Sequence, residues 1–381
     1  MKKARIYLAF AALLVLAAAC GPDLSVDCVY TARTENILSN KTGSATTKAE
    51  TKNMTAVNWS AGDKIKIFKA ADMQAPDTKG MDFTLTGAGG APTGQFTATG
   101  SGVYNKAKSY AVYPADIVKG HSGTVVKVTL PAVQKHLQGS FAPESFASVA
   151  TGSSKEEMAF KNLCGVLILK LSNVTGNFSI ASLSITTNGE ESICGDGTVD
   201  FNYKDTPQLV MAAPASDAQK TIKLVCDPPV QLTTSATSFC FAIPAGKLSK
   251  GFTLYVNDEI FGQMELEGAV DKNTINRSES RTLASTFTYA PTGINTETTL
   301  KGMAVTFDKA SVVQIPLITG TDNGWKIYWG DGIGEPYSLT ASHTYQNNED
   351  KVSVFFNAKN AESIAFPNLG GINTIYISNL K

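Results

Sequence analysis

The side chains of this 381-residue sequence with most scope for covalent or acid–base chemistry are its 6 cysteines and 3 histidines. The cysteines are Cys20, Cys28, Cys164, Cys194, Cys226 and Cys240. No two form a C-x-x-C pair, so zinc binding and dithiol redox chemistry lack their usual spacing. Cys226 shares a strand face with Ile222 and Leu224, whereas Cys240 alternates against Phe239, Phe241 and Ile243. If both apolar faces look into a core, the two sulfurs point apart and cannot bridge. Export permits disulfides, but the five cysteines after Cys20 leave at least one unpaired, and the sequence assigns no bridge. Cys164 lies in an apolar run and reads as a small buried hydrophobe. His121 and His136 occupy polar, turn-like contexts without acids at ligand spacing, and His343 reads as part of a hairpin. The carboxylates are scattered, and no G-x-S-x-G, H-E-x-x-H or Walker pattern occurs. The expectation is therefore no catalytic residue, no metal and no cofactor. A hydrolase built from carboxylates that meet across strands is the remote alternative. What remains is contact chemistry. Tyr328, Tyr337 and Tyr376 could be exposed, and aromatics on a β surface stack on sugar rings or dock a protein.

The N-terminus is an address. Lys2, Lys3 and Arg5 precede the apolar run from Ile6 to Leu16, and Ala17-Ala18-Ala19-Cys20 follows. This order is that of a secretory signal. Its end resembles a bacterial lipobox, with Ala17 where Leu is usual and Leu16 one step earlier. That resemblance implies cleavage after residue 19 and acylation of Cys20, whose acyl chains would hold the chain at a membrane. Plain signal-peptidase cleavage at an A-x-A site is the alternative. Loss of residues 1–19 removes three positive charges and leaves a mature chain of about −3. No later segment approaches the ~20 apolar residues of a membrane helix.

The elements that must position the remaining side chains are strands. Hydrophobic residues make up 43% and charged residues only 17%, with Lys+Arg and Asp+Glu balanced at 33 each. A nucleic-acid binder would carry a basic surplus. The 40 threonines and 32 glycines suit short strands joined by tight turns. Alternating segments recur at 64–68, 109–113, 124–130, 163–171, 180–186, 221–226, 239–243, 252–256, 312–318, 325–329, 352–356 and 372–377. The one helical signal after the leader is a turn or so around 153–158. Crossover helices are missing, which excludes a parallel α/β fold. The small, polar stretch at 147–158 and the break at 290–299 divide the chain. The boundaries are a signal peptide (1–19), a tether (20–51) and units at 52–158, 159–289 and 300–381.

Val57-Asn58-Trp59-Ser60-Ala61-Gly62-Asp63-Lys64-Ile65-Lys66-Ile67-Phe68 reads as a hairpin with a Trp anchor. With later segments in order, it resembles the fimbrillin family of Bacteroidales surface proteins. These include Tyr110-Ala111-Val112-Tyr113-Pro114, Ser140-Phe141-Ala142-Pro143, Phe160-Lys161-Asn162-Leu163-Cys164-Gly165, Ile243-Pro244-Ala245-Gly246 and Ile275-Asn276-Arg277-Ser278. The resemblance covers residues 57–289, about three-fifths of the chain. It implies two tandem transthyretin-like β-sandwiches exported as a lipoprotein. In polymerising members an Arg/Lys-directed protease removes the N-terminal segment, and a strand from another subunit fills the groove. Carried to this chain, the candidate processing residues are Arg33, Lys41 and Lys48. Arg33 comes first because it follows the strand-like 26–30 stretch. An opened sandwich exposes unpaired backbone and an apolar slot, and a donor strand satisfies both.

The last 90 residues or so depart from that family. Trp325-Lys326-Ile327-Tyr328-Trp329-Gly330-Asp331-Gly332 leading to His343-Thr344-Tyr345 resembles the PKD-like sandwich modules of surface proteins. Trp325, Ile327 and Trp329 alternate onto one face and should be core. The fold class expected is all-β: tandem sandwiches plus a small C-terminal sandwich. The functional expectation is a lipid-anchored surface protein, a fimbrial tip or accessory subunit. Its partners would be other fimbrial subunits, a host or bacterial receptor or glycan, and the membrane, but not nucleic acid. The alternative is an outer-membrane polysaccharide-binding lipoprotein.

Overall fold

The computed structural model describes residues 27–39, 53–75, 79–173, 178–260, 262–267, 274–287, 293–294, 302–308, 313–322, 324–330, 334–345 and 351–378. The leader, Cys20, Lys41 and Lys48 lie outside the described residues. The fold is all-β. Among the described residues the only helical pieces are 3-10 turns of three or four residues. The helical signal at 153–158 is a turn, with Glu156 N–H donating to Ser153 O at 3.0 Å, between strands Ser148–Gly152 and Met158–Ala159.

The first three strands are β1 (Cys28–Arg33), β2 (Ile37–Ser39) and β3 (Asn53–Thr55). β1 joins an eight-stranded sheet with Lys64–Lys69, Met81–Leu85, Thr93–Ala98, Ser109–Tyr113, Ser148–Gly152 and two short strands near residue 160. One face of that sheet buries Tyr30, Trp59, Ile65, Ile67, Phe83, Phe96 and Phe160. The alternation in Lys64–Lys69 explains why: Ile65 and Ile67 point one way, and Phe68 enters the core on the other face.

A second sandwich packs the sheet of Thr237–Pro244, Cys164–Asn173 and Glu279–Phe287 against the sheet of Phe178–Thr187, Thr221–Leu232 and Phe252–Asp258. β2 and β3 complete the first of these two sheets. Leu167, Leu169, Leu171, Phe239 and Phe241 meet Leu183, Ile185, Leu224 and Val256 in its core. Strand pairing crosses position 158. Val125–Leu130 pairs with Gly195–Asp200 in a separate four-stranded sheet, and Val133–Leu137 runs parallel to Thr221–Leu232 of the second sandwich. A further core of Phe68, Val112, Val126, Phe146, Val166, Val199 and Cys240 lies where the sandwiches meet. Burying apolar surface there holds the two together by the same effect that holds each core.

The Trp59 segment differs from the expected hairpin. Residues 57–60 do not pair with Lys64–Lys69. Trp59 N–H donates to Ala91 O at 2.9 Å, Gly90 N–H to Trp59 O at 2.7 Å, and Ser60 bridges to Gly89. Asp63 holds the turn: Ser60 N–H donates to its Oδ2 at 2.7 Å and Tyr113 OH to its Oδ1 at 2.9 Å. Gly89 sits at φ +74° with Trp59 O 2.5 Å from where a Cβ would stand, so only glycine allows this approach.

The two histidines expected in polar turns are packed instead. His121 is buried with its ring edge-on to Phe68 at 5.4 Å. His136 lies over Phe239 at 4.9 Å. The described cysteines, Cys28, Cys164, Cys194, Cys226 and Cys240, are all free and buried. Cys226 and Cys240 belong to different cores, as their alternation indicated. Burial pushes the Cys164 and Cys226 thiols up to about 12.

The C-terminal unit is a five-stranded sheet around Gly302–Asp308, faced by the pair Leu317–Gly320 and Ala361–Ala365. Trp325, Ile327 and Trp329 are all core, with Met303, Val305, Phe307, Val354 and Phe356.

Candidate functional site

β1 is the element on which the site is built. Its sequence alternates Cys28, Tyr30 and Ala32 against Val29, Thr31 and Arg33, the period of a half-buried strand. The inward set is fully packed: Cys28 is 4% exposed, and Tyr30 and Ala32 are 0%. Along one edge it pairs antiparallel over its full length, from Cys28↔Ala98 to Arg33↔Thr93. Along the other edge only Ala32 and Arg33 have partners, Met158 and Ala159. β1 is thus nearly an edge strand, yet it carries core side chains.

Its fixings are specific. The Tyr30 ring meets Phe83 edge-on at 5.1 Å. Its hydroxyl reaches Ser109 Oγ at 2.8 Å and Tyr104 O at 3.2 Å. Burial pushes its phenol up to about 12, against the lowering influence of the Ser109 hydrogen bond. Trp59 Nε1–H donates to Ala32 O at 3.2 Å, and Cys28 N–H donates to Ser101 Oγ at 2.5 Å. Without β1, the edge of Thr93–Ala98 and a slot walled by Trp59, Phe83, Phe96 and Tyr104 would face solvent.

Arg33 closes the strand. Its side chain is 55% exposed and its Nε–H donates to Glu157 Oε1 at 2.6 Å. The backbone around it is held. Phe160 N–H donates to Arg33 O at 2.8 Å and Thr34 N–H to Pro92 O at 2.9 Å. A protease reaching the Arg33–Thr34 bond must first open this turn, a local unfolding event.

Two residues on, the chain is latched to the second sandwich. The Glu35 carboxylate accepts from Arg277 Nη1 and Nη2, from Ser278 Oγ at 2.7 Å and from Asn162 N–H at 2.8 Å. Asn162 Nδ2 also donates to Glu35 O at 3.2 Å. Burial pushes this carboxyl up, but the Arg277, Ser278 and Asn162 hydrogen bonds outweigh it, so it lies below its usual value. β2 then runs parallel to Glu279–Phe287 through Leu38↔Glu279 and Ser39↔Ser280. The N-terminal segment therefore gives β1 to the first sandwich and β2 to the second, with Arg33 between them.

Sequence reading missed this latch. Glu35 and Arg277 are 242 residues apart, and no local pattern pairs them. The signal was present only as separate motifs, Phe160-Lys161-Asn162 and Ile275-Asn276-Arg277-Ser278, which converge on Glu35.

The three candidate contact tyrosines of the C-terminal unit divide between its two faces. Tyr337 donates its hydroxyl to Pro316 O at 2.6 Å, accepts from Ile318 N–H at 3.1 Å and meets Trp325 edge-on at 5.8 Å. Tyr328 and Tyr376 lie in one cross-strand row with Phe355 and Ala304, half-buried, beside Ile260 and Ile294. His343 stacks on Trp329 at 5.1 Å, and Tyr345 OH donates to Trp329 O at 3.0 Å. Among the described residues no group of three or more His, Cys, Asp or Glu could hold a metal. No helix among them is long and apolar enough to cross a membrane.

No family model matches the chain. No curated protein matches it either. Solved structures with some similarity include a candidate cell adhesion protein from Bacteroides ovatus, 12% identical, covering 68% of this chain and 91% of its own, with a TM-score of 0.40. Another is a candidate cell adhesion protein from Bacteroides uniformis, 12% identical, covering 69% and 94%, with a TM-score of 0.38. A fimbrial protein from Bacteroides ovatus is 12% identical over 74% of this chain and 58% of its own, with a TM-score of 0.30. Likeness of this extent carries no argument for function, which rests on the chain's own geometry.

Proposed function

We propose that this chain is a cell-surface fimbrial tip or accessory subunit, exported as a lipoprotein through Cys20, that acts in assembly and adhesion by strand exchange. The observation that supports this reading is β1: a strand with core side chains, one open edge, and a basic residue at its end. Cleavage after Arg33 would free β1, while Glu35 keeps the new N-terminus on the body. A strand from another subunit would then fill the vacated slot by β-addition, satisfying the Thr93–Ala98 edge and covering Phe83 and Phe96. Cleavage at Lys41 or Lys48 would release β2 and the latch as well, so Arg33 is the cut that opens one slot only.

The test compares the chain beginning at Thr34 with the chain that retains β1. The shortened chain should bind a synthetic β1 peptide and other fimbrial subunits, and the longer one should not. Equal binding by both, or by neither, would refute strand exchange. The adhesive role belongs to the PKD-like unit at 300–381. Ending the chain at residue 290 should abolish attachment to host or bacterial surfaces, and unchanged attachment would remove that role. The polysaccharide-binding alternative rests on Tyr328, Tyr337 and Tyr376. A glycan array on the Tyr328→Ala and Tyr337→Ala variants separates it from the fimbrial reading.

A further inference from the structure

A half-open cavity of about 650 Å³ lies where the two sandwiches meet. That volume falls within the range of small-molecule sites. Its floor is the outer face of the sheet whose inner face forms the second sandwich's core. Val166, Ile168 and Lys170 run along the middle of this floor. Cys240 and Thr282 flank Ile168, Ser280 flanks Val166, and Ser238 flanks Lys170.

The floor is graded. Val166 is 3% exposed and packs into the core between the sandwiches, with Phe146 and Ile37 around it. Ile168 is half-buried, and Lys170 is exposed. One end is therefore closed and apolar, and the other opens at an ammonium group. The distance between them is about 13 Å, four residues at roughly 3.3 Å each. Among the described residues Lys170 is the only charged one in the lining, and it has no carboxylate partner among them. The Ser238, Ser280 and Thr282 hydroxyls flank the apolar ridge, and among the described residues no carboxylate lines the space.

The structure assigns this cavity, we propose, to a single-chain amphiphile with a carboxylate head. The tail lies on Ile168 with its end toward Val166, and the carboxylate meets Lys170 with the Ser238 hydroxyl beside it. A cationic head would meet unopposed like charge, and a doubly charged or fully polar ligand would leave the closed end unfilled. Aromatic stacking of a sugar is disfavoured because Trp59, Tyr113 and Phe146 in the wall are only 2%, 7% and 2% exposed, and Phe141, which is half-buried, already stacks on Phe146 at 4.4 Å. Every lining residue follows Arg33, so loss of β1 would remove none of them, but Trp59 in the wall also donates to Ala32 O of β1 at 3.2 Å, and the site is therefore tested on the chain that retains β1.

Calorimetric titration of the full chain with decanoate is the test. Saturable one-site binding is expected below the micellar range, with octanoate about tenfold weaker for its two fewer methylenes. Lys170→Glu, an exposed change that leaves the fold intact, should weaken decanoate about tenfold and favour decyltrimethylammonium. Ile168→Trp should weaken decanoate binding by covering the floor on which the tail lies. Absence of saturable decanoate binding overturns the proposal. So does binding that both variants leave unchanged, or binding of glucuronate in place of decanoate.

Discussion

In the Tyr30→Ala variant the first sandwich loses a side chain that is 0% exposed at the centre of β1. Truncating a buried aromatic to Ala costs about 3–5 kcal/mol. The edge contact with Phe83 at 5.1 Å places Tyr30 toward the upper part of that range. The hydroxyl adds little beyond about 1 kcal/mol, because Ser109 Oγ still donates to Ala107 O at 3.1 Å and is not orphaned. A loss of about 4 kcal/mol is therefore expected. Urea denaturation of the β1-retaining chain measures it, with Val29→Ala as control. Val29 is 41% exposed on the outer face, so its truncation should change stability by less than about 0.5 kcal/mol. The same variant reports on processing. If cutting at Arg33 proceeds through local opening, destabilising β1 by about 4 kcal/mol raises the cleavage rate by up to about a thousandfold. A Tyr30→Ala loss below about 1 kcal/mol, with unchanged cleavage, would show that β1 is not part of the first core and would refute the reasoning.

Four further outcomes follow from the same geometry. Arg33→Ala should abolish cutting by an arginine-specific protease while changing stability by at most about 1 kcal/mol, since its pair with Glu157 is largely exposed; denaturation and mass spectrometry read the two effects. Glu35→Gln should destabilise by about 1–3 kcal/mol and speed cleavage at Arg33 by loosening the latch, seen as earlier appearance of a Thr34 terminus. Because the Glu35 carboxyl lies below its usual value of 4.5 when folded, its contribution is present above that pH and is lost as pH falls through the lower folded value; the acid limb of a stability–pH curve should be flatter in Glu35→Gln. Burial over Phe239 lowers the His136 pKa from 6.5, so His136 contributes stability above that pH and loses it as pH falls toward the folded value; thermal unfolding of His136→Gln should show a weaker dependence across that window.

The local parts of this fold were legible in the sequence. Period-two alternation located most strands, placed Trp325, Ile327 and Trp329 in one core, and set Cys226 and Cys240 on faces that enter different cores. Alternation depends only on near neighbours, so it survives without knowledge of the partner strand. Partner choice does not. The Trp59 segment pairs with residues near Gly90 and not with Lys64–Lys69, because the turn at Ser60–Asp63 redirects the chain and does not fold it back. Strands Val133–Leu137 and Gly195–Asp200 find partners across position 158, which no composition break reveals. His121 and His136 have polar neighbours in sequence but aromatic neighbours in space. Arg33 was legible as a basic residue after a strand. Its setting was not, because the Glu35 latch joins residues from positions 35, 162 and 277–278.

The most direct measurement is the N-terminal sequence and intact mass of the protein taken from assembled material on native cell surfaces. The account predicts a chain that begins at Thr34, carries no lipid and has lost β1. A chain in that material beginning at acylated Cys20, with β1 retained, would contradict it.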